Sequence, residues 1–339
     1  MRVCFAWFCF LFVILPMNGF AEDTDLTSAN PDIVIVYTGD GRLKIDPAGC
    51  CSKIGGMSRR ATRIAEIREQ YPHVLVLDCG NYLKARRNDR LDEVRPKHVQ
   101  RALKVIGYDA LNVAVGELDA GELFLSLFGS EPSIPLVSAN AKIADKSDVH
   151  QWPSFLIRTL GGIRIGIIGL ASNADTPTFT VTDPILAINN ILPELETKAD
   201  IIVLLSNLNW NLTKSIVMDN PSINLAIVGY DNYATFDPET VGETLMVKST
   251  FDGGTLGIVK IWTTAQRNIS HFKKQIELLE TKIRPRPEYQ FLEEDYQADV
   301  IAWKKKVKEE EKNKKFNKYL RMSPKEFMDY MKNNNGRLE

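Results

Sequence analysis

The sequence predicts a layered α/β sandwich with a C-terminal helical extension, and three observations carry that expectation. Short apolar runs such as Ile33-Val34-Ile35-Val36-Tyr37 recur along the first 262 residues, as buried parallel strands do. Stretches with helical spacing of apolar residues alternate with them, which favours a sheet covered by helices. Beyond Ile276 the composition turns to Lys and Glu with sparse apolar residues, the mark of an exposed helix.

Taken in order, Asp32 to Tyr37 is the first strand, ending in Thr38-Gly39-Asp40-Gly41. Gly55-Gly56 opens a helix whose buried face is Ala61, Ile64, Ala65 and Ile67, with arginines opposite. His73 to Leu77 is a second strand and stops at Asp78-Cys79-Gly80-Asn81. A helix through Val99, Leu103 and Ile106 leads to Gly107-Tyr108-Asp109, and the strand Ala110 to Ala114 follows. Pro135 to Asn140 holds another short strand. Ser154 to Leu160 and Ile163 to Ile168 flank Gly161-Gly162, a two-residue hairpin turn that accepts positive φ. A helix over Pro184 to Leu195 precedes the strands Ile201 to Leu205 and Asn224 to Val228. Glu243 to Lys248 and Leu256 to Trp262 close the pattern.

The chain divides into three parts: 1–21, an α/β domain over 30–265, and a charged helical extension over 276–339. In the first part Arg2 precedes an apolar run from Cys4 to Leu15, and Gly19-Phe20-Ala21 offers small residues before Glu22-Asp23. That is the pattern of a secretory signal peptide, with a retained anchor as the alternative. A periplasmic or extracellular location is therefore expected, with no transmembrane segment after cleavage. The net charge of −1 provides no field for nucleic acid. In the third part Arg284-Pro285-Arg286-Pro287 reads as a linker. Glu288 to Leu320 reads as an exposed helix with a stripe of Phe291, Tyr296, Ile301 and Trp303, expected to contact another exported protein. Ser323-Pro324-Lys325-Glu326 is a helix start, with Ser as N-cap and Glu reaching back.

Ligands in open α/β sheets gather at the carboxyl ends of strands. Here those ends are Gly39 to Arg42, Asp78 to Asn81, Val115 to Asp119, Ser206 to Asn209 and Gly229 to Asn232. With Gly55-Gly56-Met57-Ser58-Arg59-Arg60-Ala61, Leu136 to Asn140 and Gly162 to Leu170, these segments resemble, in order, the metallophosphoesterase domain of 5′-nucleotidases from about Asp32 to Trp262. The resemblance implies an α/β sandwich of the metallophosphoesterase type, with two cations held by Asp, His and Asn to activate water and clamp phosphate.

Residue by residue, the resemblance also implies a site that has lost its ligands. Asp40 stands where the family has a metal-binding Asp, but Arg42 stands where it has His. Asn81 replaces the bridging Asp, and Val115-Gly116 replaces the Asn-His pair. Asn207 replaces a His, and Tyr230-Asp231-Asn232 replaces His-x-His. The degenerate metal positions Asp40, Asn81, Asn207, Asp231 and Asn232 are expected not to bind. No catalytic residue and no cofactor is expected, with a divalent metal as the alternative. The charged tail is too short and too polar to be the second domain that such enzymes use to stack a nucleobase.

Cys50, Cys51 and Cys79 form a separate candidate site, for a disulfide between Cys79 and one of the pair or for redox or soft-metal chemistry. Related exported proteins associated with c-type cytochromes carry similar cysteines, though this chain has no Cys-x-x-Cys-His. Gly253-Gly254 reads as a turn, and Glu117 with Asp119 as an acid pair or a solvated loop. The function expected is an exported, catalytically degenerate binding or structural module. The alternatives are a residual metal-dependent phosphoester hydrolase and a thiol-based redox or metal-handling protein.

Overall fold

The computed structural model describes residues 30–47, 53–84, 90–129, 131–144, 152–174, 176–229, 237–249, 253–320 and 322–333. The expected signal segment, Cys50, Cys51, Asp231 and Asn232 lie outside the described residues. Two six-stranded sheets pack face to face and helices cover both outer surfaces.

The first sheet is built around β1 (Ile33–Thr38), whose six residues are all buried because neighbours flank it on both edges and both faces. On one side β2 (Val74–Asp78), β3 (Ala110–Asn112) and β4 (Leu136–Val137) follow in parallel, each reached through helical crossovers. These crossovers contain α1 (Met57–Gln70), α2 (Arg95–Ile106), α3 (Val115–Asp119) and α4 (Glu122–Phe128). A two-stranded ribbon, β5 (Ala141–Ile143) with β8 (Phe179–Val181), lies apart from both main sheets.

The second sheet starts with the hairpin β6 (Phe155–Leu160) and β7 (Ile163–Leu170), turned at Gly161-Gly162 as expected. Parallel β9 (Ile201–Ser206), β10 (Leu225–Val228) and β12 (Thr244–Lys248) extend it, and antiparallel β11 (Glu239–Val241) closes its edge. The helices α5 (Pro184–Lys198) and α6 (Trp210–Asp219) cover its outer face. Asp183 caps α5 by accepting from Leu186 N at 2.9 Å, and Asn209 caps α6 by accepting from Leu212 N at 2.9 Å.

Two features lie beyond the expected boundary at residue 265. The chain crosses back along β1 as β13 (Thr255–Thr263) and then forms β14 (Ile269–Leu278), an edge strand of the first sheet. The tail then folds as α7 (Pro287–Leu320) and α8 (Pro324–Asn333). The expected contact of the α7 stripe with another chain is corrected here. Leu292, Tyr296 and Val300 are buried in the core over the first sheet, and Phe291 and Trp303 pack against it. Only Ile301 of the expected stripe is exposed, at 68%. The stripe is sparse, which makes it look partnerless in sequence, yet it suffices to seat α7 against α1 and α2.

Candidate functional site

The strand ends of the two sheets converge, and they bring together three of the five expected metal positions. Asp40 follows β1 in the left-handed region, at φ 52°, and Asn81 follows β2 at φ 62°. Such backbone is rare for residues other than glycine and clusters at functional sites. Asp40 N donates to Gly80 O and Arg42 N to Asn81 O, so the two loops are zipped together.

Every carboxylate or amide oxygen at these positions already accepts a hydrogen bond from the protein. Asp40 Oδ2 takes Arg42 Nε at 2.8 Å and Arg42 Nη2 at 2.7 Å. Asp40 Oδ1 takes Asn81 Nδ2 at 3.2 Å, and Asn81 Oδ1 takes Gly116 N at 2.9 Å. Asn207 follows β9, and its Oδ1 takes Val115 N and Ser172 Oγ, each at 3.3 Å. Asp40, Asn81 and Asn207 are buried. A side chain at Gly116 has no room: a Cβ there would come within 2.7 Å of Lys84 Cβ and 3.0 Å of Asn81 Oδ1.

A two-cation centre needs several anionic or imidazole donors with free lone pairs. At the three expected metal positions that are described there is one carboxylate, bound by a guanidinium, and two neutral amides. Among the described residues no group of three or more His, Cys, Asp or Glu side chains is placed to hold a metal. The described histidines sit elsewhere. His73 bonds Asp32 O ahead of β2, His98 on α2 faces Asp299 on α7, and His271 lies on β14 against Trp262.

Two acids stand just behind these loops: Glu117, expected in an acid pair with Asp119 or on a solvated loop, and Asp78, for which no role was expected. Glu117 is buried, and its carboxylate accepts from Asn81 N at 2.8 Å, Leu83 N at 2.9 Å and Ala114 N at 3.1 Å. It thereby ties the Asn81 loop to α3, while Asp119 is exposed. Burial pushes Glu117 up to about 8, against those three donors. Asp78 accepts from Thr38 Oγ1 at 2.5 Å and from Gly80 N at 2.8 Å. Tyr108 OH lies 2.9 Å from the same Thr38 oxygen and accepts from Arg60 Nη1 at 3.4 Å. Burial pushes Asp78 up to about 6, opposed by Thr38, Arg60 and Gly80 N. The usable signal was position, since Asp78 and Glu117 are the acids nearest two strand ends.

Cys79 is fully buried between the sheets, with its thiol donating to Ile227 O at 3.3 Å. Burial pushes the thiol up, which suppresses thiolate chemistry. Gly253 has φ 64° and stands in a turn.

No family model matches the chain. Among curated proteins, a snake venom 5′-nucleotidase of Gloydius brevicauda is 26% identical over 202 residues, 56% of this chain and 34% of the relative. The 5′-nucleotidase of Bos taurus is 26% identical over 222 residues, 59% of this chain and 38% of the relative. The chain thus matches little more than a third of these relatives' length. Among solved structures, a 5′-nucleotidase precursor from Thermus thermophilus superposes with TM-score 0.68 at 19% identity, over 80% of this chain and 59% of that one. The calcineurin-like phosphoesterase YfkN from Bacillus subtilis superposes with TM-score 0.64 at 19% identity, over 81% of this chain and 99% of that one.

Proposed function

We propose that this chain, a relative of the 5′-nucleotidases with the calcineurin-like metallophosphoesterase fold, is an exported module in which an internal ion pair replaces the catalytic cations. The observation that carries the reading is the Arg42 guanidinium on Asp40. A guanidinium is always charged and offers a planar set of donors. It supplies the positive charge that a buried carboxylate at this place requires, and it repels a second cation. Asn81 and Asn207 then have neutral amides that bind backbone N–H groups. The closed position at Gly116 leaves no place for an imidazole to orient a phosphate.

What remains is a rigid sandwich whose strand-end loops are cross-linked by hydrogen bonds, suited to binding or scaffolding. Export is supported by the N-terminal apolar run and by the venom source of one relative. No described helix is long and apolar enough to cross a membrane.

Turnover of an aryl phosphate and of a cyclic phosphodiester, with added Mn²⁺, Zn²⁺ or Ca²⁺, tests this reading alongside metal analysis of the purified protein. Background rates and no stoichiometric metal are expected. Metal-dependent turnover abolished by Asp40→Ala would establish a residual hydrolase instead. Zinc or copper lost on alkylating the cysteines would establish the thiol-based alternative.

A further inference from the structure

The unexplained charge of this molecule lies in residues 304–332, which run from the far half of α7 through α8. Residues 304–332 carry eleven Lys and Arg against five Asp and Glu, leaving thirty-one against thirty-eight over the rest of the sequence. A net +6 therefore falls in this stretch of a sequence that is otherwise net −7.

The helix α7 has two faces. Leu292, Tyr296 and Val300 turn one face into the core, and Trp303 follows three residues later on the same side, its indole donating to Glu93 at 3.1 Å. Ile301, Lys304, Lys305, Lys308 and Lys312 recur at helical spacing on a different face, and all five are exposed. Among the described residues none of these four lysines makes an ion pair, whereas Lys306, off that face, lies 3.8 Å from Glu310. Lys304, Lys308 and Lys312 stand at successive i, i+4 positions, which destabilises an isolated helix. Beyond them Ser323 and Glu326 form a reciprocal cap, with bonds of 2.7 and 3.3 Å, that starts α8. That helix carries Phe327, Met328, Tyr330 and Met331, with Met328 58% exposed.

We propose that the lysine face of α7, continued by α8, holds the protein against an anionic phospholipid surface. The proposal goes beyond the reading of the strand-end site and does not depend on it. Ten of the eleven cations are lysines. Lysine is a hydrated point charge suited to a diffuse plane of headgroups, whereas protein interfaces select Arg and deplete Lys. An exposed Ile301 among the lysines and a short helix with Met and aromatic residues supply the apolar contact that interfacial binding requires.

The test is cosedimentation of the full chain with vesicles of phosphatidylcholine alone or with about 30% phosphatidylglycerol, at about 0.1 M and 0.5 M salt. Binding to the anionic vesicles alone, lost at the higher salt, is expected. Each surface lysine contributes roughly fivefold to such partitioning, so Lys304→Gln/Lys305→Gln/Lys308→Gln/Lys312→Gln should weaken it by about two to three orders of magnitude. These side chains are exposed and make no ion pair among the described residues, so the variant should melt with the parent. No binding, equal binding to neutral vesicles, or full binding by the quadruple variant overturns the proposal. Capture on immobilised polyglutamate without vesicle binding overturns it in favour of an acidic protein.

Discussion

Glu293 on α7 accepts a hydrogen bond at 3.2 Å from Ser58 N in the first turn of α1, across 235 residues of sequence. The helix α1 begins at Met57 after Gly56 as its N-cap, with no side-chain cap and no acidic residue in its own first turn. A carboxylate from the tail therefore supplies both the missing acceptor and the negative charge favoured at a helix N-terminus. The same tail helix buries Leu292, Tyr296 and Val300 over the first sheet.

A chain ending near Lys282 should consequently fail to reach the native state. Burying three such side chains contributes roughly 1.5–3 kcal/mol each, a large share of a domain's stability of about 5–15 kcal/mol. Within the full chain, Tyr296→Ala should cost about 3–5 kcal/mol and Glu293→Gln about 1 kcal/mol, read by denaturant melts. A truncated chain that melts within a few degrees of the parent would show that the tail is dispensable.

The Asp40–Arg42 pair should behave as one unit. Arg42→Ala leaves a buried carboxylate without its cation and should cost about 2–4 kcal/mol. Asp40→Asn in that background should recover much of the loss, because the uncompensated charge is gone. A double-mutant cycle with a coupling of about 1–3 kcal/mol is expected, and additive losses would argue that the pair does not organise the loops.

Asp78 should make stability depend on pH between about 4 and 6. Burial raises its folded-state pKa to about 6, so the folded chain holds a proton that the unfolded chain releases near 4. Folded protein then binds more protons in that window, and stability falls as pH rises through it. Asp78→Asn keeps an acceptor for Gly80 N and can donate to the Thr38 hydroxyl, so it should flatten this slope. The gain relative to the parent should reach about 2–3 kcal/mol by pH 7, measured by denaturant melts across the window. An unchanged slope would place the proton elsewhere.

Cys79 should resist alkylation in the native protein and react on unfolding. It is buried between the sheets, and burial keeps the thiol protonated. Mass-spectrometric mapping of iodoacetamide adducts before and after denaturation reads this directly. Rapid native labelling would show that the strand-end region opens, and no labelling after denaturation without reductant would reveal a disulfide.

Much of the fold was legible because its signals are local. Apolar runs such as Ile33 to Tyr37 mark buried strands wherever they lie, and the Gly161-Gly162 turn needs only backbone freedom. The strand ends could be located for the same reason, and with them Asp40, Arg42, Asn81 and Asn207. The edge strand β14 was harder to read, because one of its faces is open and its Lys273-Lys274 looks like linker.

By itself the sequence determined the order of the main buried strands and of the helices α1, α2 and α5, the charge of the tail and the residue types at each strand end, since these follow from periodicity and chemistry along the chain. Only the tertiary structure decided that Arg42 turns back onto Asp40, that Glu117 gathers three backbone donors, and that Glu293 caps a helix 235 residues away. Those outcomes rest on burial. A carboxylate removed from water must find donors, and which donors lie within reach is a property of packing in space.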